Sequence, residues 1–194
     1  MCKQWKDEWR TDPGRIVLSG SSFGATIAIL VSLTIALDGG EVLGLNAVVP
    51  VIDTDPEASE NPWGENEQTM VLLPDGLISQ LNQTFRGVFR VDTKDWRNNL
   101  SAMTGPTFKY LPQRTLMIFA AFDALLDTQM KWMNQVPHHE DRICLKVDAF
   151  HNVKDLYDTK AGREVWDATV AFYKRLEGVD EAYSSLTPWM VTTR

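Results

Sequence analysis

The chain has 194 residues, 44% of them hydrophobic and 23% charged, the balance of a globular domain with a core of its own. Its net charge of −7 and pI of about 4.9 argue against a nucleic-acid or anionic-membrane surface. The two cysteines, Cys2 and Cys144, lie too far apart for a metal or redox motif; two free thiols and no visible secretory leader give a cytoplasmic expectation.

Residues 3–11 read as the end of an amphipathic helix, with Trp5 and Trp9 at i, i+4 spacing. Asp12-Pro13-Gly14 is a turn. Residues 15–19 form a buried strand, and a small-residue helix runs from the following turn to Leu37, where Asp38-Gly39-Gly40 stops it. The apolar stretch 27–37 is about half what a bilayer span needs, so it is a buried helix. Residues 42–51 are a second strand, apolar nearly throughout, as parallel strands covered on both faces are. Residues 52–75 read as a polar loop. Leu77, Leu81, Phe85 and Val88 have helical spacing, and 90–113 is irregular around Pro106 and Pro112. A third strand follows at 115–121, a helix begins at Gln129, and a fourth strand spans 143–147. A closing helix over 162–176 carries Val165, Trp166, Thr169, Val170 and Tyr173 on one face, and 177–194 reads as an extended tail. The organisation is therefore one domain over 1–176, with 52–113 inserted between strands. Strand and helix alternate, which predicts an α/β fold: a mostly parallel sheet of about four strands with helices on both faces. Asn82-Gln83-Thr84 and Asn99-Leu100-Ser101 match the glycosylation pattern and, without a leader, read as coincidental.

The chemistry concentrates at Gly20-Ser21-Ser22-Phe23-Gly24, between the first strand and its helix. G-x-S-x-G in that context is a nucleophile elbow. Glycine at both ends, Gly20 and Gly24, is expected to avoid collisions in a tight turn. Ser22 is expected in a strained backbone conformation with its hydroxyl outward, and the helix N-terminus favours a developing oxyanion.

A serine needs a base and an acid to orient that base. There are three histidines. His138 and His139 precede the fourth strand and read as solvated loop residues. His151 follows that strand, at the carboxyl edge where sites form, and is the expected base. The acid should follow the third strand, where Asp123 stands directly at its end. Asp127 reads as a helix cap, and Asp148 is an alternative. Nothing calls for a cofactor or a metal: the elbow lacks the P-loop lysine and the dinucleotide spacing, and no ligand cluster is apparent.

These segments resemble the hormone-sensitive-lipase-like members of the α/β-hydrolase superfamily (the alpha/beta hydrolase fold-3 esterases). Asp12-Pro13-Gly14-Arg15-Ile16-Val17-Leu18-Ser19-Gly20 is similar to the family's D-P-x-R-I-x-L-x-G. Phe122-Asp123-Ala124-Leu125-Leu126-Asp127 is similar to its F-D-P-L-x-D, with Ala124 where proline is usual. Phe150-His151-Asn152 stands in the place of its H-G-F. The resemblance implies Ser22, Asp123 and His151 as the catalytic triad, with the Phe23 N–H in the oxyanion hole and a carboxylic ester or related acyl compound as substrate. Trp63, Phe85, Phe89 and Trp96 are candidate pocket walls. The family elbow usually reads G-D-S-A-G; here Ser21 and Phe23 replace Asp and Ala. The family's H-G-G-G oxyanion loop should lie well before the elbow, yet only 19 residues precede Gly20. The likeness therefore covers the C-terminal half of such a fold, with the elbow strand at an exposed edge. Such an edge invites pairing, so a homodimer or a partner chain is expected there. The alternative to a serine esterase is a non-hydrolytic homologue: a binding or interaction subunit, or a biosynthetic enzyme using the pocket for a rearrangement.

Overall fold

The computed structural model describes residues 13–53, 92–123, 125–148 and 159–178. The expected helices at 3–11 and 77–89, most of the 52–75 loop, His151, Trp63, Phe85, Phe89 and the tail beyond Gly178 lie outside them.

The described elements are β1 (Val17–Ser21), α1 (Phe23–Leu37), β2 (Gly44–Val48), α2 (Gly105–Phe108), β3 (Thr115–Ala120), α3 (Leu126–Met133), β4 (Arg142–Val147) and α4 (Lys160–Leu176), with short 3-10 turns at Pro13–Arg15 and Leu100–Ala102. The four strands form one sheet in the order β1-β2-β3-β4. Every pair is parallel, with Val17 opposite Gly44, Leu45 opposite Thr115 and Thr115 opposite Arg142. All carboxyl ends therefore lie along one edge.

Helices cover both faces, as strand–helix alternation requires. On one face Ala25, Ile29 and Leu33 of α1 pack on Leu45, Ala47, Met117 and Phe119, together with Phe108 of α2 and Trp132 of α3. The rings of Phe108 and Trp132 meet edge to face at 5.5 Å, a favoured aromatic geometry. On the other face Phe172 and Leu176 of α4 pack on Leu116, Ile118 and Ala120. β3 is buried at all six positions, as a central parallel strand should be. At Gly44 a Cβ would stand 2.9 Å and 3.1 Å from the Leu176 methyls and 3.1 Å from Phe172, so α4 sits this close to β2 only over a glycine.

Several boundaries move. β1 begins two residues later than expected and continues through Gly20 and Ser21, because Arg15 belongs to the preceding 3-10 turn. β2 is shorter than 42–51, since the backbone breaks from the strand at Val49. α3 starts at Leu126 rather than Gln129. The irregular 90–113 stretch contains α2, which has proline in its first turn, a position that needs no N–H.

Candidate active site

β1 ends at Ser21, and α1 starts at Phe23. The residue between them, Ser22, has φ 56° and ψ −128°. A non-glycine residue there is strained by roughly 1–3 kcal/mol and persists only where its surroundings impose it. The surroundings are visible. The Ser22 N–H donates to the Val48 carbonyl at 2.9 Å, and the Ser22 carbonyl accepts from the Ala25 N–H at 3.0 Å. The turn is thus tied to β2 on one side and to the helix on the other. Ser22 occupies the N-cap position of α1, but its hydroxyl does not cap the helix.

Gly20 makes the turn possible. A Cβ there would lie 2.3 Å from the carbonyl carbon and oxygen of Gly24 and 2.6 Å from the Ala25 nitrogen. No side chain can yield, because all three atoms are backbone. Gly24 differs from expectation: a Cβ there meets nothing within 4 Å. The helix has already turned away from the strand, so one end of the pentapeptide is sterically constrained and the other is open.

A second strained residue sits beside the elbow. Val49, immediately after β2, has φ 45°, a genuine outlier for a β-branched side chain. It is buried, and its N–H donates to the Ile118 carbonyl at 2.8 Å. The segment that follows runs over the carboxyl edge and is pinned from three elements. The Thr26 hydroxyl of α1 donates to the Val51 carbonyl at 2.8 Å and accepts from the Val51 N–H at 3.0 Å. The Gln129 amide of α3 donates to the Pro50 carbonyl at 2.9 Å. The Asn99 amide donates to the Asp53 carboxylate at 3.1 Å. None of these contacts is signalled by a pattern in the sequence. Asn99 is buried and engaged, so the pattern Asn99-Leu100-Ser101 is not an accessible glycosylation acceptor.

Asp123 lies where expected, just past β3 at the same edge as Ser22. It is buried, with 3% of its surface exposed. One carboxylate oxygen accepts from the Leu125 N–H at 3.0 Å, and its own N–H donates to the Ala120 carbonyl at 3.2 Å. This Asx turn fixes the carboxylate against the start of α3. β2 alone separates its strand from that of Ser22, a lateral distance of about 10 Å between backbones. Asp127 does not cap α3; it sits exposed in the first turn, where its charge suits the helix dipole. Asp148 is exposed just after β4.

The histidines separate by topology. His138 and His139 precede β4 in a parallel sheet, so they lie at the amino edge, opposite Ser22. His138 is exposed. His139 is more than a solvated loop residue: its Nδ1 accepts from the Asp141 N–H at 3.1 Å and its carbonyl from the Arg142 N–H at 3.0 Å, which shapes the turn into β4. His151, four residues beyond the end of β4, lies outside the described residues. Trp96 is half-buried against the α1-side core, so its visible role is packing.

Two other reactive side chains are structural. Burial pushes the Cys144 thiol up to about 12, so it is neutral and unreactive near pH 7. Burial also lowers the pKa of Arg142. Its guanidinium donates to the carbonyls of Leu111, Pro112 and Pro137 at 3.0, 3.3 and 2.7 Å, binding two loops to the foot of β4. Among the described residues no His, Cys, Asp and Glu group could hold a metal ion, and no helix is long and apolar enough to cross a membrane.

A family model described as alpha/beta hydrolase fold matches residues 1–152. No curated protein matches the chain. Solved structures do. An esterase of Rhizomucor miehei is 18% identical, with a TM-score of 0.67 over 91% of this chain and 55% of its own. A thermostable esterase from Pseudomonas putida is 17% identical, with a TM-score of 0.69 over 93% of this chain and 57% of its own. A thermophilic carboxylesterase cloned from a metagenomic library is 21% identical, with a TM-score of 0.69 over 92% of this chain and 60% of its own. At these identities the likeness is one of fold, and the chain spans 55–60% of the length of these structures.

Proposed function

The chain belongs to the alpha/beta hydrolase fold family, and on that premise we propose that it is a serine hydrolase acting on a carboxylic ester or a related acyl compound. The observation that carries this reading is the backbone of Ser22, held at φ 56° and ψ −128° between β1 and α1 without capping the helix. A serine that gives up its cap in a strained turn is placed for another task.

In this reading the Ser22 hydroxyl attacks the carbonyl carbon while His151 takes its proton. Asp123 holds the imidazole in the productive tautomer. The Phe23 N–H, at the start of α1, receives the oxyanion. His151 then returns the proton to the departing alkoxide, leaving an acyl group on Ser22. Water, deprotonated by the same imidazole, releases the acid and restores the serine. The assignment of His151 gains support by elimination, because the other two histidines lie at the opposite edge of the sheet. Asp123 gains support from its burial and fixed orientation at the same edge. The fold relatives named above are esterases and a carboxylesterase, which favours an ester over other acyl substrates.

A fluorophosphonate probe tests the reading, because only an activated serine forms the covalent adduct. Labelling is expected on the wild type at Ser22, and loss of labelling in Ser22→Ala and His151→Ala. A folded wild type that takes up no probe would instead favour a non-hydrolytic homologue that uses the same edge for binding.

A further inference from the structure

We propose that Thr26 is a positioning residue for Ser22: its hydroxyl closes a ring of hydrogen bonds that holds the serine in its strained conformation. The proposal deepens the hydrolase reading and rests on it for its kinetic consequence alone.

The strain requires a cause. Among the described residues two non-glycine residues have positive φ, Ser22 and Val49. Such conformations persist only where the neighbours impose them. The two residues are joined. The Ser22 N–H donates to the carbonyl of Val48 at 2.9 Å, and the N–H of the same peptide unit, that of Val49, donates to Ile118 on β3 at 2.8 Å. The path of the chain beyond Val49 is therefore tied to the elbow.

That path returns to the elbow two residues later. Val51 lies past the end of β2. Its N–H donates to the Thr26 hydroxyl at 3.0 Å, and its carbonyl accepts from the same hydroxyl at 2.8 Å. One side chain thus does for Val51 what a neighbouring strand would do. Thr26 stands in the first turn of α1, and its own N–H donates to the Ser22 carbonyl at 3.3 Å. The ring is complete: Ser22 to Val48, along the chain to Val51, across to Thr26, and back to Ser22.

The threonine hydroxyl is used in an uncommon way. In a helix it ordinarily bonds the carbonyl four residues back. Here that carbonyl belongs to Ser22, 3.5 Å away, and the shorter bond goes to Val51. Gln129 and Asn99 anchor the same segment, but only Thr26 ties it to the helix that begins at the elbow. Thr26 is 3% exposed. Valine would fill that space as well, while a buried hydroxyl is costly unless it is bonded. Without the ring, Ser22 relaxes toward the extended backbone of an ordinary N-cap, and its hydroxyl turns to the helix N–H groups. It is then aimed away from a substrate carbonyl.

Two measurements on the full chain test this, one of them independent of turnover. Amide hydrogen exchange reads the ring. In the wild type, Ser22 and Val51 should exchange at rates within about threefold of each other, corrected for sequence, because one opening exposes both. Thr26→Val should speed exchange at Ser22 at least about tenfold and leave the amides of β3 unmoved, and Thr26→Ser should restore it. Kinetics with p-nitrophenyl butyrate read the consequence. Thr26→Val should lower kcat about 10- to 100-fold, the scale of a small misplacement, with KM within about threefold. Thr26→Ser should keep kcat within about threefold of the wild type. A merely structural threonine would lower the unfolding temperature and leave kcat alone. Slow exchange at Ser22 beside fast exchange at Val51 overturns the proposal, and this comparison stands even if Thr26→Val does not fold. Unchanged exchange at Ser22, or unchanged kcat, in a folded Thr26→Val overturns it too. A wild type that hydrolyses nothing yet shows the expected exchange sinks the hydrolase reading and supports the ring.

Discussion

Helices α1 and α4 lie on opposite faces of one sheet and are built by different rules. α4 is amphipathic. It buries Ala161, Ala168, Phe172 and Leu176 and exposes Lys160, Arg163, Glu164, Asp167, Lys174 and Arg175. Its N-cap Thr159 is extended, with a hydroxyl that accepts from the Gly162 N–H at 3.1 Å, and its last turn carries Lys174 and Arg175, the sign that suits a C-terminus. α1 has no charge, an apolar outer stripe, and an N-cap serine that does not cap. The difference teaches where function has displaced stability. α4 is capped and segregates its charges outward, although Trp166, expected on its packed face, is 60% exposed; α1 departs from the pattern at its N-cap and along an uncharged outer face. The departure at the N-cap marks the proposed nucleophile.

The largest expected effect lies in the turn before α1. Gly20→Ala places a methyl within 2.3 Å of backbone atoms and should destabilise the fold by more than about 4 kcal/mol. Gly24→Ala, at open space inside the first helical turn, should be neutral or stabilising by up to about 1 kcal/mol. Urea unfolding of both variants decides this, and equal losses would mean that the turn is not built as described.

Next comes the buried face of α4. Phe172→Ala should cost about 3–5 kcal/mol, because its ring is fully enclosed over Gly44. Ile27→Ala, on the exposed outer face of α1, should change the stability by less than about 0.5 kcal/mol. Thermal unfolding at low protein concentration compares them.

A pH effect of intermediate size separates buried from exposed chemistry. The Cys144 thiol is raised from 9.0 to about 12, so the folded state keeps a proton that the unfolded state loses. Its contribution is fully present below pH 9 and declines above it, reaching a loss of about 1.4 kcal/mol at pH 10. Cys144→Ala should flatten that part of the stability profile between pH 9 and 10.5, and an unchanged slope would contradict the burial.

The two N-caps give the smallest contrast. Thr159→Ala should cost about 1 kcal/mol. Ser22→Ala should cost less, since no cap bond is lost. Denaturation of the two variants side by side checks the order.

Much of this was legible in the sequence because it is local. Apolar runs bounded by glycine and charge gave four strands, and alternation with helices gave the parallel sheet. Gly20 and Ser22 announced themselves by spacing, and Asp123 by its position after β3. The rest is not local. The left-handed backbone of Val49, the exchange of hydrogen bonds between Thr26 and Val51, and the anchors from Gln129 to Pro50 and Asn99 to Asp53 join residues distant in the chain. No periodicity encodes such pairs. The expected steric need for glycine at position 24 failed because it rested on the pentapeptide alone, whereas clearance depends on where the helix axis goes. His139 was underestimated because a turn that uses a ring nitrogen leaves no pattern in sequence.

The central claim is that Ser22 is an activated nucleophile. Hydrolysis of p-nitrophenyl acetate and butyrate by the purified chain, beside Ser22→Ala, tests it most directly. The account predicts turnover by the wild type and a fall of at least about 1,000-fold in the variant, with both equally folded. A folded wild type that hydrolyses neither ester faster than Ser22→Ala would contradict it.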